Sequence, residues 1–224
     1  MKSFVAAGLA VSTLTGCAAP TVEAAPSAAC PTPGHMTNAE SVRPLAWQGS
    51  AVVYAGDRTI PIRVRTRIAA DGSVVSESWP DSQSESALRR MIIDASGGWI
   101  ERGGKREPMP LEMLVHERQQ YGFYKQLQQV MGRRQGLPLF SAPKVVVEGL
   151  VPTTFVLDHS LNPVEASNVV SSPEPGGKPI AQEFHLRGEI VSNCLRWPRE
   201  IAIFEDGKPY FTLTIDNFDA GVVP

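Results

Sequence analysis

Four histidines and three cysteines are the side chains with which this 224-residue chain could perform metal, redox or nucleophilic chemistry, and their spacing narrows that chemistry quickly. His116-Glu117 opens like the zinc-binding helix His-Glu-x-x-His, but Gln120 stands where the second histidine must be. One imidazole on that face holds no zinc, so His116 reads as a solvated helix residue. His35, His116, His159 and His185 have no other metal-ligand spacing, and no metal or cofactor is expected. His159 and His185 fall near strand ends, where Asp158 or Glu183 could join them. A hydrolase built on either histidine is therefore one reading to test. The sequence has no Gly-x-Ser-x-Gly elbow and no phosphate loop. Gly176-Gly177-Lys178-Pro179 is a turn, because proline follows where a phosphate-binding helix would start. No catalytic residue is assigned, and the chain reads as a non-enzyme.

The cysteines carry a sharper signal. Met1-Lys2-Ser3 supplies one positive charge, an apolar run extends from Phe4 to Leu14, and Leu14-Thr15-Gly16-Cys17 follows. A basic start, a short apolar core and small residues at a cleavage point make a secretory signal. The run is too short for the ~18 residues of a membrane span. Leu-Thr-Gly-Cys resembles the lipobox of bacterial lipoproteins. That resemblance implies cleavage after residue 16, acylation of Cys17 and attachment to a membrane through the lipid. It places the chain in the bacterial cell envelope, facing the periplasm. Ala18 replaces the aspartate that holds some lipoproteins in the inner membrane, which favours the outer one. With Cys17 acylated, Cys30 and Cys194 are left as a pair in an oxidising compartment, where a disulfide is expected. The alternative is a small buried Cys194 with Cys30 in a loose tether. Their Cα atoms must lie within ~7 Å to pair.

Residues 17–44 are rich in alanine, proline, serine and threonine and lack an apolar period. Such a stretch buries too little surface to offset its ordering entropy, so it reads as a tether. The body is expected over 45–219 as one domain, with 220–224 as a tail. A formal charge of −2 gives no reason to expect nucleic acid.

The body is mostly strands. Leu45, Trp47, Gly49, Ala51 and Val53 alternate with a second set. Ile60, Ile62, Val64, Thr66 and Ile68 alternate with Pro61, Arg63, Arg65 and Arg67, one apolar and one cationic face. The cationic face reads as the wet side of the sheet, with lipid headgroups or an anionic partner as the functional alternative. Gly56-Asp57, Asp71-Gly72 and Asp206-Gly207 are hairpin signals. About ten strands follow from this pattern.

Residues 110–132 alone read as helical. Leu111, Leu114, Val115 and Tyr121 share one side, while Phe123, Leu127, Val130 and Met131 take roughly the opposite side. The switch falls at Gly122, and glycine costs ~1 kcal/mol in a helix interior. Either two short helices hinge there or one helix is covered on both sides. The hinge is the preferred expectation. The fold class is thus α+β and mainly β, a long curved antiparallel meander with a helical lid.

An exported chain of this plan resembles the LolA/LolB-like lipoprotein-carrier half-barrels. The resemblance rests on the Asp71-Gly72 turn, Ile92-Ile93-Asp94 leading to Gly98-Trp99, and the closing run from Pro198 through Phe211-Thr212-Leu213 to Phe218. It implies an apolar cavity between a curved sheet and a lid. The expected lining is Trp47, Ile62, Val64, Trp79, Tyr121, Tyr124, Leu127, Phe155, Phe211 and Leu213, with Gly122 as lid hinge. The expected ligand is a lipid or a lipoprotein acyl chain. The alternative is a scaffold lipoprotein with a filled core, acting through its surface on an envelope protein partner.

Overall fold

A computed structural model describes residues 42–83, 88–133 and 144–221. Six strands come first: β1 (Leu45–Ala55), β2 (Arg58–Ile68), β3 (Val74–Pro80), β4 (Arg89–Asp94), β5 (Gly97–Arg102) and β6 (Lys105–Pro108). The helix α1 (Leu111–Arg133) follows. Then come β7 (Lys144–Val147), β8 (Thr153–Leu157), β9 (Pro163–Val170), β10 (Ile180–Arg187), the small hairpin β11 (Ile190–Ser192) and β12 (Leu195–Trp197), β13 (Glu200–Glu205) and β14 (Lys208–Ala220). The alternations over 45–53 and 60–68 are β1 and β2; the strands number more than the about ten expected because short pieces such as β6, β11 and β12 add to them.

Twelve strands form one sheet in the order β6-β5-β4-β3-β2-β1-β14-β13-β10-β9-β8-β7. Every pairing in it is antiparallel. The first and last strands join neighbours at the centre, where β1 pairs with both β2 and β14. Asp206 and Gly207 both adopt positive φ, 47° and 76°, in the two-residue turn that sets the β13–β14 register.

The sheet is an open, curved one, and α1 measures its curl. β6 and β7 are opposite edges, and α1 is the link between them. A Cβ placed on Gly98 in β5 would lie 2.8 Å from Leu114 Cδ1, so the helix start sits directly on that strand. Two residues later, His116 Nδ1 donates to the Ser171 carbonyl at 2.7 Å, just past the end of β9. β5 and β9 are eight strand positions apart, ~38 Å in a flat sheet at ~4.8 Å per strand. One helical turn touches both, so the sheet wraps around the helix.

The helix runs unbroken through Gly122, so the expected hinge does not divide it. Leu114 and Tyr124 are buried on one side, and Phe123, Leu127 and Val130 on another. The apparent switch of apolar face records one helix buried on both flanks. His116 is buried rather than solvated, and its carbonyl bond fixes the proton on Nδ1.

The core lies between α1 and the concave face. Phe123 stacks on Phe184 with centroids 3.8 Å apart and planes 9° from parallel, and on Phe155 at 5.8 Å. Tyr124 meets Trp47 at 4.9 Å, and Trp197 stacks on Phe218 at 5.4 Å. Fully burying each such ring stabilises the fold by roughly 1.5–3 kcal/mol.

Candidate ligand-binding site

The concave face is filled at one end and open at the other. Leu45, Trp47, Ile68, Val74, Ile93, Ile215 and Ala220 lie toward the end where β1 begins and β14 finishes, and all are buried. Toward the β1–β2 and β13–β14 turns, the same face carries Val53, Ile62, Tyr210 and Phe211, each only partly buried. Ile60 at the rim is 41% exposed. The strand registers Val53↔Phe211 and Ala51↔Ile62 keep these side chains in adjoining rows. On the helix, Glu117, Gln120 and Tyr121 face the same region and are likewise partly buried.

This divides the residues expected to line a cavity. Ile62, Tyr121 and Phe211 border the open end. Trp47, Val64, Leu127, Phe155 and Leu213 are packed core, and Tyr124 is wedged between Trp47 and Trp197. Trp79 lies on the other face. It pairs with Arg63, and Arg65 sits over its ring at 5.8 Å, so cationic neighbours shield it on the convex side. Gly122 lies against Leu150, 3.7 Å from where a Cβ would reach. Cys17 and Cys30 lie outside the described residues; Cys194 occupies the β11–β12 turn with φ 65°.

The convex arginines are tied to carboxylates. Glu77, buried on this face, accepts from Arg65 Nε at 2.6 Å and from Arg90 Nη2 at 2.6 Å. Desolvation works against its charge, but the two guanidinium groups outweigh it and hold the carboxyl below its ordinary value. Arg63 Nη2 reaches Asp216 at 2.8 Å. His185 also faces outward, bonded to Glu183 at 2.6 Å and set against Phe204 at 4.9 Å. His159 is an exposed turn residue. Among the described residues no hydrogen bond links His185 to a serine, threonine or cysteine, and no group of three His, Cys, Asp or Glu side chains could hold a metal.

What the sequence reading missed is a polar band across the open end. Gln126 Nε2 donates to the carbonyls of Val147 at 2.9 Å and Val151 at 2.8 Å. Its Oε1 accepts from Thr153 Oγ1 at 2.7 Å, and Thr153 Oγ1 lies 3.4 Å from Asn168 Nδ2. Asn168 pairs across strands with Gln182, and Gln182 with Glu205. Gln182 Nε2 donates to Glu205 Oε1 at 3.0 Å. Glu205, Arg89 and Glu117 interact through space, Gln120 lies against the Tyr210 hydroxyl, and Tyr121 against Ser76. Burial pushes Glu117 above its ordinary value; His116 and Arg89 oppose the shift and Glu205 adds to it. Burial also pushes Tyr210 up to about 12 and raises Tyr121 and Tyr124 further. These phenols stay protonated and available as donors. The signal for the band was polar residues in apolar register, such as Gln182 in phase with Phe184 and Leu186.

The open end therefore offers an apolar wall of Ile62, Val53 and Phe211 beneath a helix, with a polar band at its back. A second, surface cleft of about 230 Å³ lies at the other end, bordered by Met131, Pro163, Leu186, Trp197 and Pro198. No helix among the described residues is long and apolar enough to cross a membrane.

No protein-family model matches the chain, and no curated protein matches it. Among solved structures it is similar to a putative outer membrane lipoprotein-sorting protein domain from Vibrio parahaemolyticus, at 7% identity and TM-score 0.46, over 81% of this chain and 86% of that one. It is similar to a LolA superfamily protein from Nitrosomonas europaea at 11% identity and TM-score 0.47, over 82% and 88%. A DUF1329 family protein from Desulfovibrio piger gives 6% identity and TM-score 0.47, over 83% and 88%.

Proposed function

We propose that this protein is a lipid-anchored envelope lipoprotein that holds the apolar chain of a lipid or acylated molecule in the open end of its curved sheet. The observation that carries the reading is the gradient of filling along one concave face. The same strands that bury Trp47 and Ile215 leave Ile62, Val53 and Phe211 partly wet under α1. Each methylene of a ligand that replaces water there gains ~0.8 kcal/mol. Glu117, Gln120 and Tyr121 lie on the helix side of the same space, so headgroup and chain meet different surfaces.

The anchoring half of the proposal rests on Leu14-Thr15-Gly16-Cys17. A lipidated Cys17 would hold the protein to one membrane. Such a protein accepts or hands over a ligand near its own membrane. A Cys30–Cys194 disulfide would tie the tether to the β11–β12 turn, and its pairing is read by mass spectrometry of non-reduced peptides. Cys17→Ser should move the protein from the membrane to the soluble periplasmic fraction; a variant still in the membrane fraction contradicts the anchor. Organic extraction of the purified protein should release a stoichiometric amphiphile, and its absence from protein that also fails to take up added lipid contradicts the cavity.

A scaffold role is the second reading, and the tightly stacked Phe123, Phe155 and Phe184 favour it for the filled end. Under that reading Ile62→Trp leaves every activity of the protein intact. Under ligand binding it blocks uptake.

A further inference from the structure

Two buried oxygens in the polar band have no donor, and across from them on the helix one amide nitrogen, Gln120 Nε2, has no acceptor. Asn168 is 7% exposed and Gln182 is 2% exposed, and neither Asn168 Oδ1 nor Gln182 Oε1 has a hydrogen-bond partner. Their orientation is set by their neighbours. Gln126 spends both its N–H groups on the Val147 and Val151 carbonyls, so its oxygen takes the Thr153 hydroxyl proton. The Thr153 oxygen then faces the Asn168 amide nitrogen, which turns Asn168 Oδ1 away. The Gln182 amide nitrogen donates to Glu205, which leaves Gln182 Oε1 as a free acceptor. Strand register places Asn168, Gln182 and Glu205 in one row across β9, β10 and β13. Directly paired side chains on one face have Cβ atoms ~4.5–5.5 Å apart. The row runs from a closed end at Asn168 to a partly exposed one at Glu205.

A buried acceptor left without a donor costs about 1–3 kcal/mol. Two neighbouring acceptors without a donor, beside a carboxyl that adds negative charge, match a cationic group that presents several donors from one atom. A primary ammonium does so with three N–H bonds, whereas a hydroxyl gives one and a quaternary ammonium none. Resting on the apolar-chain reading above, we propose that the Asn168–Gln182–Glu205 row binds the primary ammonium of an amphiphile whose chain lies along Ile62 and Phe211. Arg89, near Glu117, is a cation facing this region; Glu117 and Glu205 are the two carboxyls that offset it.

The test is calorimetric titration of the full-length protein, stripped of bound lipid, with four probes: octylammonium, octyltrimethylammonium, octanol and ethylammonium. Octylammonium should bind at least about tenfold more tightly than octyltrimethylammonium or octanol, as expected for ~1.4 kcal/mol from donors only it supplies. Ethylammonium, which has the group without the chain, should bind far more weakly. Gln182→Leu and Asn168→Leu should each abolish the preference while octyltrimethylammonium, which offers the row no donor, still binds, and that retained binding shows the cavity is still folded. Equal affinity of the three octyl probes for the unaltered protein means water satisfies the two oxygens, and overturns the proposal while leaving the chain site standing. A preference that survives in both variants also overturns it. Ethylammonium binding as tight as octylammonium would assign the row to small free amines and overturn the amphiphile. Failure of every octyl probe to bind contradicts the chain site itself.

Discussion

The Phe123 ring lies face to face with Phe184, 3.8 Å between centroids, and Phe184 is two residues along β10 from Gln182 on the same face. That one stack is the floor between the filled and the open end. Below it the concave side chains are buried, with the surface cleft beside Met131, Leu186 and Trp197 at their far end. Above it begins the polar band, with Gln182 and Asn168 side by side.

Phe123 should therefore matter to stability more than any ring at the open end. Phe123→Ala removes a fully buried ring that touches Phe155, Phe184 and Tyr124. Its expected cost is about 3–5 kcal/mol, from lost transfer energy and the cavity left behind. Denaturant unfolding of the variant measures it, and Phe211→Ala at the partly open end should cost well under half as much.

Glu117 should make stability fall with rising pH. Burial raises its folded value above the ordinary 4.5, so the folded state holds the proton more tightly than the unfolded one. Its unfavourable contribution is absent below the unfolded value and grows as pH climbs toward the folded value, where it levels off. Glu117→Gln removes that slope. Melting temperatures from pH 4 upward should converge for the two proteins at acid pH, with the variant higher at neutral pH.

Glu77 should act in the opposite sense. Arg65 and Arg90 hold its folded value down, so its contribution is present above the unfolded value and lost as pH falls through the folded one. Glu77→Gln should cost about 1–3 kcal/mol at pH 7, discounted because Arg90 is 41% exposed. The two proteins should approach equal stability in acid.

Much of this architecture was legible in the chain. The Ile62–Val64–Thr66–Ile68 alternation and the Asp206-Gly207 turn state strand and hairpin directly, because period two and positive φ are local properties. The helix was legible too, but not its continuity: burial of Tyr124 and Phe123 on different flanks imitates a change of face at Gly122. Trp79 was misplaced because a large ring can be buried on a convex face by an arginine, and alternation does not say which face is concave. The polar band was hidden for a related reason. Thr153, Asn168 and Gln182 meet through pairings of three strands, and such register is long-range information.

Under the proposed function, one end of the concave face takes an apolar chain and the other does not. Ile62 and Ile215 lie on that face, partly exposed and fully buried respectively. Methyl-labelled isoleucine spectra during titration with a fatty acid or octylammonium separate the two ends directly. Saturable shifts at Ile62, with Ile215 and Ile68 unmoved, are the expected result. No shift at Ile62, or equal shifts at all three, would contradict the account.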